Sequence, residues 1–291
     1  MSTVSPQLNK ILHSTFYILV ETGEKDKSGE IFESGTGFLV ADGYVVTNAH
    51  LLSNLTKEGK IYLANEVLND PIEAELVSMD TVCEKSDPGN TDLALLKFDK
   101  KLQKSEQSPL TLNLTFQKLQ SVLAIGYPYS VISLNYSHKE VLQGKFKKIL
   151  EHTADITSGL INTLAEGEST SILVHSAKIM RGNSGGPLVN HAGEVVGINT
   201  WIQGHNNVKA GSSMAQPSIT IAIFLKHNNI LPEFVSDQTI FSWTDKSDDH
   251  TIYTSNPCLK NYQSAGESSY RKKNASVTIL SRQLAPKDQI D

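Results

Sequence analysis

The chain has 291 residues, of which 39% are hydrophobic and 20% charged; that is about two domains' worth of a soluble globular composition. Its 26 basic residues are outnumbered by 31 acidic ones, for a formal charge of -5, which excludes the basic footprint of a general nucleic-acid binder. Two cysteines, Cys83 and Cys258, are too few for a disulfide-stapled secreted framework, and nine histidines scattered without ligand spacing point to no metal site and no cofactor.

Residues 5 to 13 read as one short helix. The apolar run from Phe16 to Val20 follows His13, Ser14 and Thr15 and has no small-residue cleavage site after it, so no secretory signal is expected. No segment reaches the length of a membrane span. The expectation is a cytoplasmic protein, or one exported without a Sec signal, with no membrane partner. The stretch "FLVADGYVVT" is a hairpin signal, with β-branched and apolar runs on either side of Asp42-Gly43. "IYLA", "IEAELVSM", "DLALLKF", "SVLAIGYP", "SILVHSAKI", "GPLVN", "EVVGINT" and "SITIAIF" continue as short strands. Many short strands with Gly and Asn turns argue for an all-β sandwich or barrel.

Residues 98 to 113 are polar and aperiodic and read as the connection between two β halves. Residues of about 150 to 170 read as a long surface loop. The basic cluster Lys145, Lys147 and Lys148 reads as a solvated strand face. Beyond Pro232 the composition shifts, and residues 236 to 291, rich in Ser, Asp, Lys and Asn, read as a polar, poorly ordered extension.

The stretch "KIMRGNSGGPLV" surrounds Ser184 with glycines. Glycine takes positive φ and lets backbone N–H groups approach a ligand unhindered, which is what an oxyanion hole beside a nucleophilic hydroxyl requires. Such a serine needs a base and a group to orient it. "GTGFLVADGYVVTNAHLL" ends its second strand at His50, and "NTDLALLKFD" opens a buried strand with Asp92. The order His, Asp, Ser, with separations of about 40 and about 90 residues, matches one of the known triad arrangements. "GNSGG" also fits the G-x-S-x-G elbow of α/β-hydrolases, but that elbow continues into a helix. Here Pro187 and the strand-turn-strand pattern "LVNHAGEVVGIN" follow.

"TNAH", "TDLALLK" and "GNSGGPLVNHAGEVVGINT", with the lead-in "SGTGF" and the strand "AIGYP", resemble the corresponding blocks of trypsin-like, chymotrypsin-fold serine proteases. The likeness is closest to the HtrA (Deg) group and covers about residues 30 to 225. It implies two Greek-key six-stranded β-barrels with the active site in the cleft between them. Residues 1–108 would form the N-terminal barrel with His50 and Asp92. Residues 109–235 would form the C-terminal barrel with Ser184, followed by the extension 236–291. The resemblance makes Ser184 the nucleophile, His50 the base and Asp92 its orienting acid, with the N–H groups of Gly182 and Ser184 facing the oxyanion. It places Lys178, Ile179 and Met180 near the S1 pocket, with Asn199 to Gln203 along the other side. Medium apolar P1 residues fit Ile179, and acidic ones fit if Lys178 points inward.

The activity implied is a serine endopeptidase acting on protein or peptide substrates through an acyl-enzyme. The competing readings are a latent or silent protease-fold binding protein that needs an activating partner, and an esterase on the same triad. Three features depart from the resemblance. Asn183 stands where digestive enzymes have an aspartate that pairs with a new N-terminus, so no zymogen step of that type is expected. Arg181 stands where HtrA proteins often have proline. The residues after the second barrel are too few for the PDZ domain common in the group, and the group's typical trimer has no support in the sequence itself.

Overall fold

The computed structural model describes residues 6–27, 29–80, 91–130, 140, 154–166, 171–200 and 212–235. The chain opens with helix α1 (Pro6–His13). Six strands follow: β1 (Thr15–Asp26), β2 (Gly29–Ala41), β3 (Tyr44–Thr47), β4 (Lys60–Ala64), β5 (Ile72–Asp80) and β6 (Leu93–Lys97). They close a barrel in the order β1-β2-β3-β6-β5-β4. Six more, β7 (Ser121–Gly126), β8 (Asp155–Glu166), β9 (Ser171–His175), β10 (Pro187–Asn190), β11 (Val195–Thr200) and β12 (Ser213–Pro217), close a second barrel. Its order, β7-β8-β9-β12-β11-β10, is that of the first barrel displaced by six strands. Every strand pair in both is antiparallel. The result is two six-stranded Greek-key barrels, as the resemblance to trypsin-like proteases implied.

The two-residue side-chain period of a strand explains how one chain builds several cores. In β1, Phe16, Ile18 and Val20 point into the first barrel beside Leu39, Val45 and Leu96. Tyr17 and Leu19 turn outward against Tyr127 of the second half. The second barrel is filled by Val122, Ala124, Ile161, Leu173, Leu188, Val196 and Ala215. Between the barrels lies a third apolar layer, in which Phe38, Val40, Val46, Leu93 and Leu95 meet Ile125, Val189, Val195 and Ile198. Burying side chains of this size contributes about 1.5–3 kcal/mol each, so this layer binds the two barrels to each other.

Three expectations are corrected. "SITIAIF" is not a strand: helix α2 spans Ser218–His227. Its Ile219, Ile221, Ala222, Phe224 and Leu225 are all buried in the layer between the barrels. A short helix wrapped by core on most sides shows no amphipathic period, and its β-branched residues imitate a strand. The region of about 150 to 170 is not simply a loop, because residues 155–166 form β8, which bridges β7 along its first half and β9 along its second. Its Gly159 hides the strand pattern but is required: a Cβ there would strike the backbone of Ser176 and Ala177. The connection at 98 to 113 is not polar throughout, since Phe98 is buried in the core of the first barrel and Leu110 and Leu112 enter the layer between the barrels. Lys145, Lys147, Lys148, Cys83, Cys258 and the extension 236–291 lie outside the described residues. No helix among the described residues is long and apolar enough to cross a membrane.

Candidate active site

β3 ends at Thr47, Asn48 remains extended, and a single 3-10 turn, Ala49–Leu52, then carries His50 out of the sheet. Thr47 pairs with Ala94 of β6, which brings Asp92, two residues earlier, beside that turn. Asn48 fixes the approach by donating from Nδ2 to the Asp92 carbonyl at 2.8 Å. The Asp92 carboxylate then meets three donors. Oδ1 accepts the His50 backbone N–H at 2.8 Å. Oδ2 lies 2.7 Å from His50 Nδ1 and accepts from Thr200 Oγ1 at 2.8 Å. An ionised carboxylate only accepts, so the ring donates from Nδ1 and keeps its lone pair on Nε2. The Asp92 side chain is 6% exposed and that of His50 40%, so the acid is sealed while the imidazole stays open to solvent.

Ser184 lies in a tight turn that the second barrel presses against the first. Its carbonyl accepts from Thr36 N at 2.9 Å, and the next N–H, of Gly185, donates to Asn199 O at 2.8 Å. Gly185 has φ +85, and a Cβ there would meet Thr36 O, Thr47 Oγ1 and Asn48 N. The serine turn therefore packs directly on the strand end that leads to His50. On its other side Gly182 has φ +101, with Tyr127 O and Tyr129 N occupying the space of a side chain. Thr36 Oγ1 donates to Gly182 O at 2.7 Å and accepts from Tyr127 N at 2.9 Å. The N–H groups of Asn183 and Gly186 are used internally, on Met180 O and Asn183 O. Among the described residues, the N–H groups of Gly182 and Ser184 meet no acceptor. Asn183 itself is fully buried.

Along Lys178 to Met180 the side chains alternate, with Ile179 buried and Lys178 and Met180 exposed. Ile179 N donates to Ser213 Oγ at 3.3 Å, joining this segment to β12. Asn199 is fully buried and donates from Nδ2 to Pro187 O at 3.2 Å, so its amide serves the wall of the serine turn. Gln203 lies outside the described residues.

Residues 35–198 match the family model of the trypsin-like peptidase domain. The chain belongs to that family. It is 32% identical over 171 residues to the magnetosome formation protease MamE of Paramagnetospirillum magneticum, a match covering 57% of this chain and 19% of that protein. It is 32% identical over 176 residues to a probable periplasmic serine endoprotease, DegP-like, of Rhizobium meliloti, covering 56% and 30%. Serine protease HTRA1B of Danio rerio is 34% identical over 146 residues, covering 47% and 25%. The chain thus spans less than a third of the length of these relatives.

For a trypsin-like peptidase domain, the residues that the sequence did not single out are the hydroxyl and amide groups that aim the others. Thr36, Thr200 and Asn48 are fully buried, and each makes a bond that holds the His50–Asp92 pair or the Ser184 turn. Thr36 and Thr200 do stand inside the blocks "SGTGF" and "GINT". Nothing in a lone threonine signals which strand it will reach across to.

Proposed function

We propose that the chain is a serine endopeptidase in which Ser184, His50 and Asp92 act together. Ser184 Oγ attacks the scissile carbonyl while His50 Nε2 takes its proton; the resulting imidazolium gives that proton to the departing amine, leaving an acyl-serine. Water, deprotonated by the same nitrogen, then releases the acid and restores the serine. Asp92 stays ionised throughout and stabilises the imidazolium. The N–H groups of Gly182 and Ser184 receive the developing oxyanion, and one such donor is worth about 3 to 4 kcal/mol of barrier.

The observation that carries this reading is the 2.7 Å contact between His50 Nδ1 and Asp92 Oδ2, because it sets the tautomer that leaves Nε2 basic toward the cleft. Buried Ile179 beside exposed Lys178 favours a medium apolar P1 side chain, and the relatives' names favour protein substrates. Cleavage of an unfolded protein and of a matched small ester, by wild type and by His50→Ala, tests the reading. Both activities are expected in wild type and neither in the variant. Ester hydrolysis without peptide cleavage would make the chain an esterase, and inactivity of wild type toward both would leave a latent binding protein.

A further inference from the structure

The peptide bond between Arg181 and Gly182 decides whether the Gly182 N–H points into the cleft or away from it. A trans peptide is planar, with its C=O and N–H on opposite sides, so whatever holds the Arg181 carbonyl also aims the Gly182 N–H. That carbonyl accepts from Tyr129 N at 2.8 Å, so in this orientation the Gly182 N–H points away from Tyr129. Digestive trypsin-like enzymes order this turn with the ion pair of the aspartate before the serine. Here that residue is Asn183, which is neutral and fully buried.

A charged contact is nevertheless present one turn away, on the outside. The Arg181 guanidinium lies over the Tyr129 ring, its Cζ 5.1 Å from the ring centroid, and its Nη2 is 3.5 Å from Glu33 Oε2. Tyr129 follows β7 of the second barrel, whereas Glu33 lies on β2 of the first, opposite Val20. One side chain thus ties the turn to both barrels, and it does so at the residue whose own carbonyl sets the oxyanion donor.

We propose that Arg181 is a positioning residue: its clasp on Tyr129 and Glu33 holds the Arg181–Gly182 peptide in the orientation that presents the Gly182 N–H to the oxyanion. This rests on the serine-peptidase reading above. The Arg181–Glu33 contact lies on the exposed side of the turn, where the Arg181 side chain is 74% exposed. An exposed pair is weak and is screened by salt, so the turn is held loosely enough for ionic strength to loosen it.

The test is steady-state kinetics of wild type, Arg181→Ala, Arg181→Lys and Glu33→Gln on one peptide ester, with active sites counted by a fluorophosphonate. An ion pair and a cation–π contact at such exposure together support a fall of about five- to tenfold. That fall is expected in kcat of Arg181→Ala, with KM unchanged. Glu33→Gln should lose part of it from the other barrel, and Arg181→Lys, which keeps charge without the planar stack, should recover part. Wild-type kcat should also fall in about 1 M salt, where the screening length drops to about 3 Å, while that of Arg181→Ala should not. Equal kcat in wild type and Arg181→Ala would overturn the clasp. So would a raised KM at unchanged kcat, which would put Arg181 in contact with substrate. A wild type that does not label at all would instead overturn the serine-peptidase reading itself.

Discussion

Thr200 Oγ1 donates to Asp92 Oδ2 at 2.8 Å, although the two residues belong to opposite barrels. The carboxylate that orients His50 is thus held from the barrel that carries Ser184. Closing the barrels together thus also completes the donors around Asp92, with the apolar layer around Phe38, Leu93, Ile125 and Ile198 packed between them. Thr200→Val keeps the shape and removes the donor. A hydrogen bond to a charged group contributes about 1.5–3 kcal/mol, so kcat/KM should fall about tenfold or more, while Thr200→Ser stays near wild type. The comparison of kcat/KM for the two variants is the check.

Thr36 is the corresponding hub on the first barrel, bonded at once to Gly182 O, Tyr127 N and, through its backbone, Ser184 O. Thr36→Val leaves the last of these and strips the first two. The expected result is a drop of roughly tenfold in kcat with little change in KM, because the loss falls on the turn that carries the proposed oxyanion donors rather than on substrate contacts. An equal change in KM would contradict that assignment.

His175 gives the fold a pH dependence of its own. It sits in the wall of the second barrel, paired with Ile161 and Ser213. Burial pushes its pKa from 6.5 down to about 4, against an opposing pull from the backbone of Met214 and Ala177. As pH falls below 6.5 the unfolded chain takes up a proton that the folded chain refuses until near 4, so stability is lost across that window. Between pH 7 and pH 5 the loss from this group is about 2 kcal/mol. Urea unfolding of wild type and His175→Phe at both values should show the wild type losing that much more.

Gly159 tests the close approach of β8 to the segment that leads into the serine turn. Leu160 N donates to Ser176 Oγ at 2.9 Å and Leu160 O accepts from Ser176 N at 3.0 Å. A Cβ on Gly159 would push Ser176 and Ala177 away. Gly159→Ala should therefore destabilise by about 1–3 kcal/mol, read as a lower Tm, and should lower activity at temperatures where the variant remains folded.

Most of the architecture could be read from the chain because hairpin turns and two-residue alternation are local. The Asp42-Gly43 turn and the strands "IYLA", "DLALLK" and "EVVGINT" needed only neighbours in sequence. Failure came where long-range packing set the local state. Ile219 to Leu225 look like a strand until the layer between the barrels surrounds them, and β8 looks like a loop because Gly159 answers to Ser176 and Ala177 rather than to its neighbours. The candidate site divides the same way. His50, Asp92 and Ser184 carry residue types and spacings that mark them in the chain as a candidate triad. Thr36, Thr200 and the pairing of Arg181 with Glu33, 148 residues apart, become visible only once the barrels are closed.

The most direct test of the central claim is intact-mass analysis after exposure to a fluorophosphonate, in which the serine Oγ bonds to phosphorus and fluoride leaves. The account predicts one phosphonyl group per wild-type chain, located on Ser184, and none on Ser184→Ala or His50→Ala. A wild type that takes up no label, or a label that persists in Ser184→Ala, would contradict it.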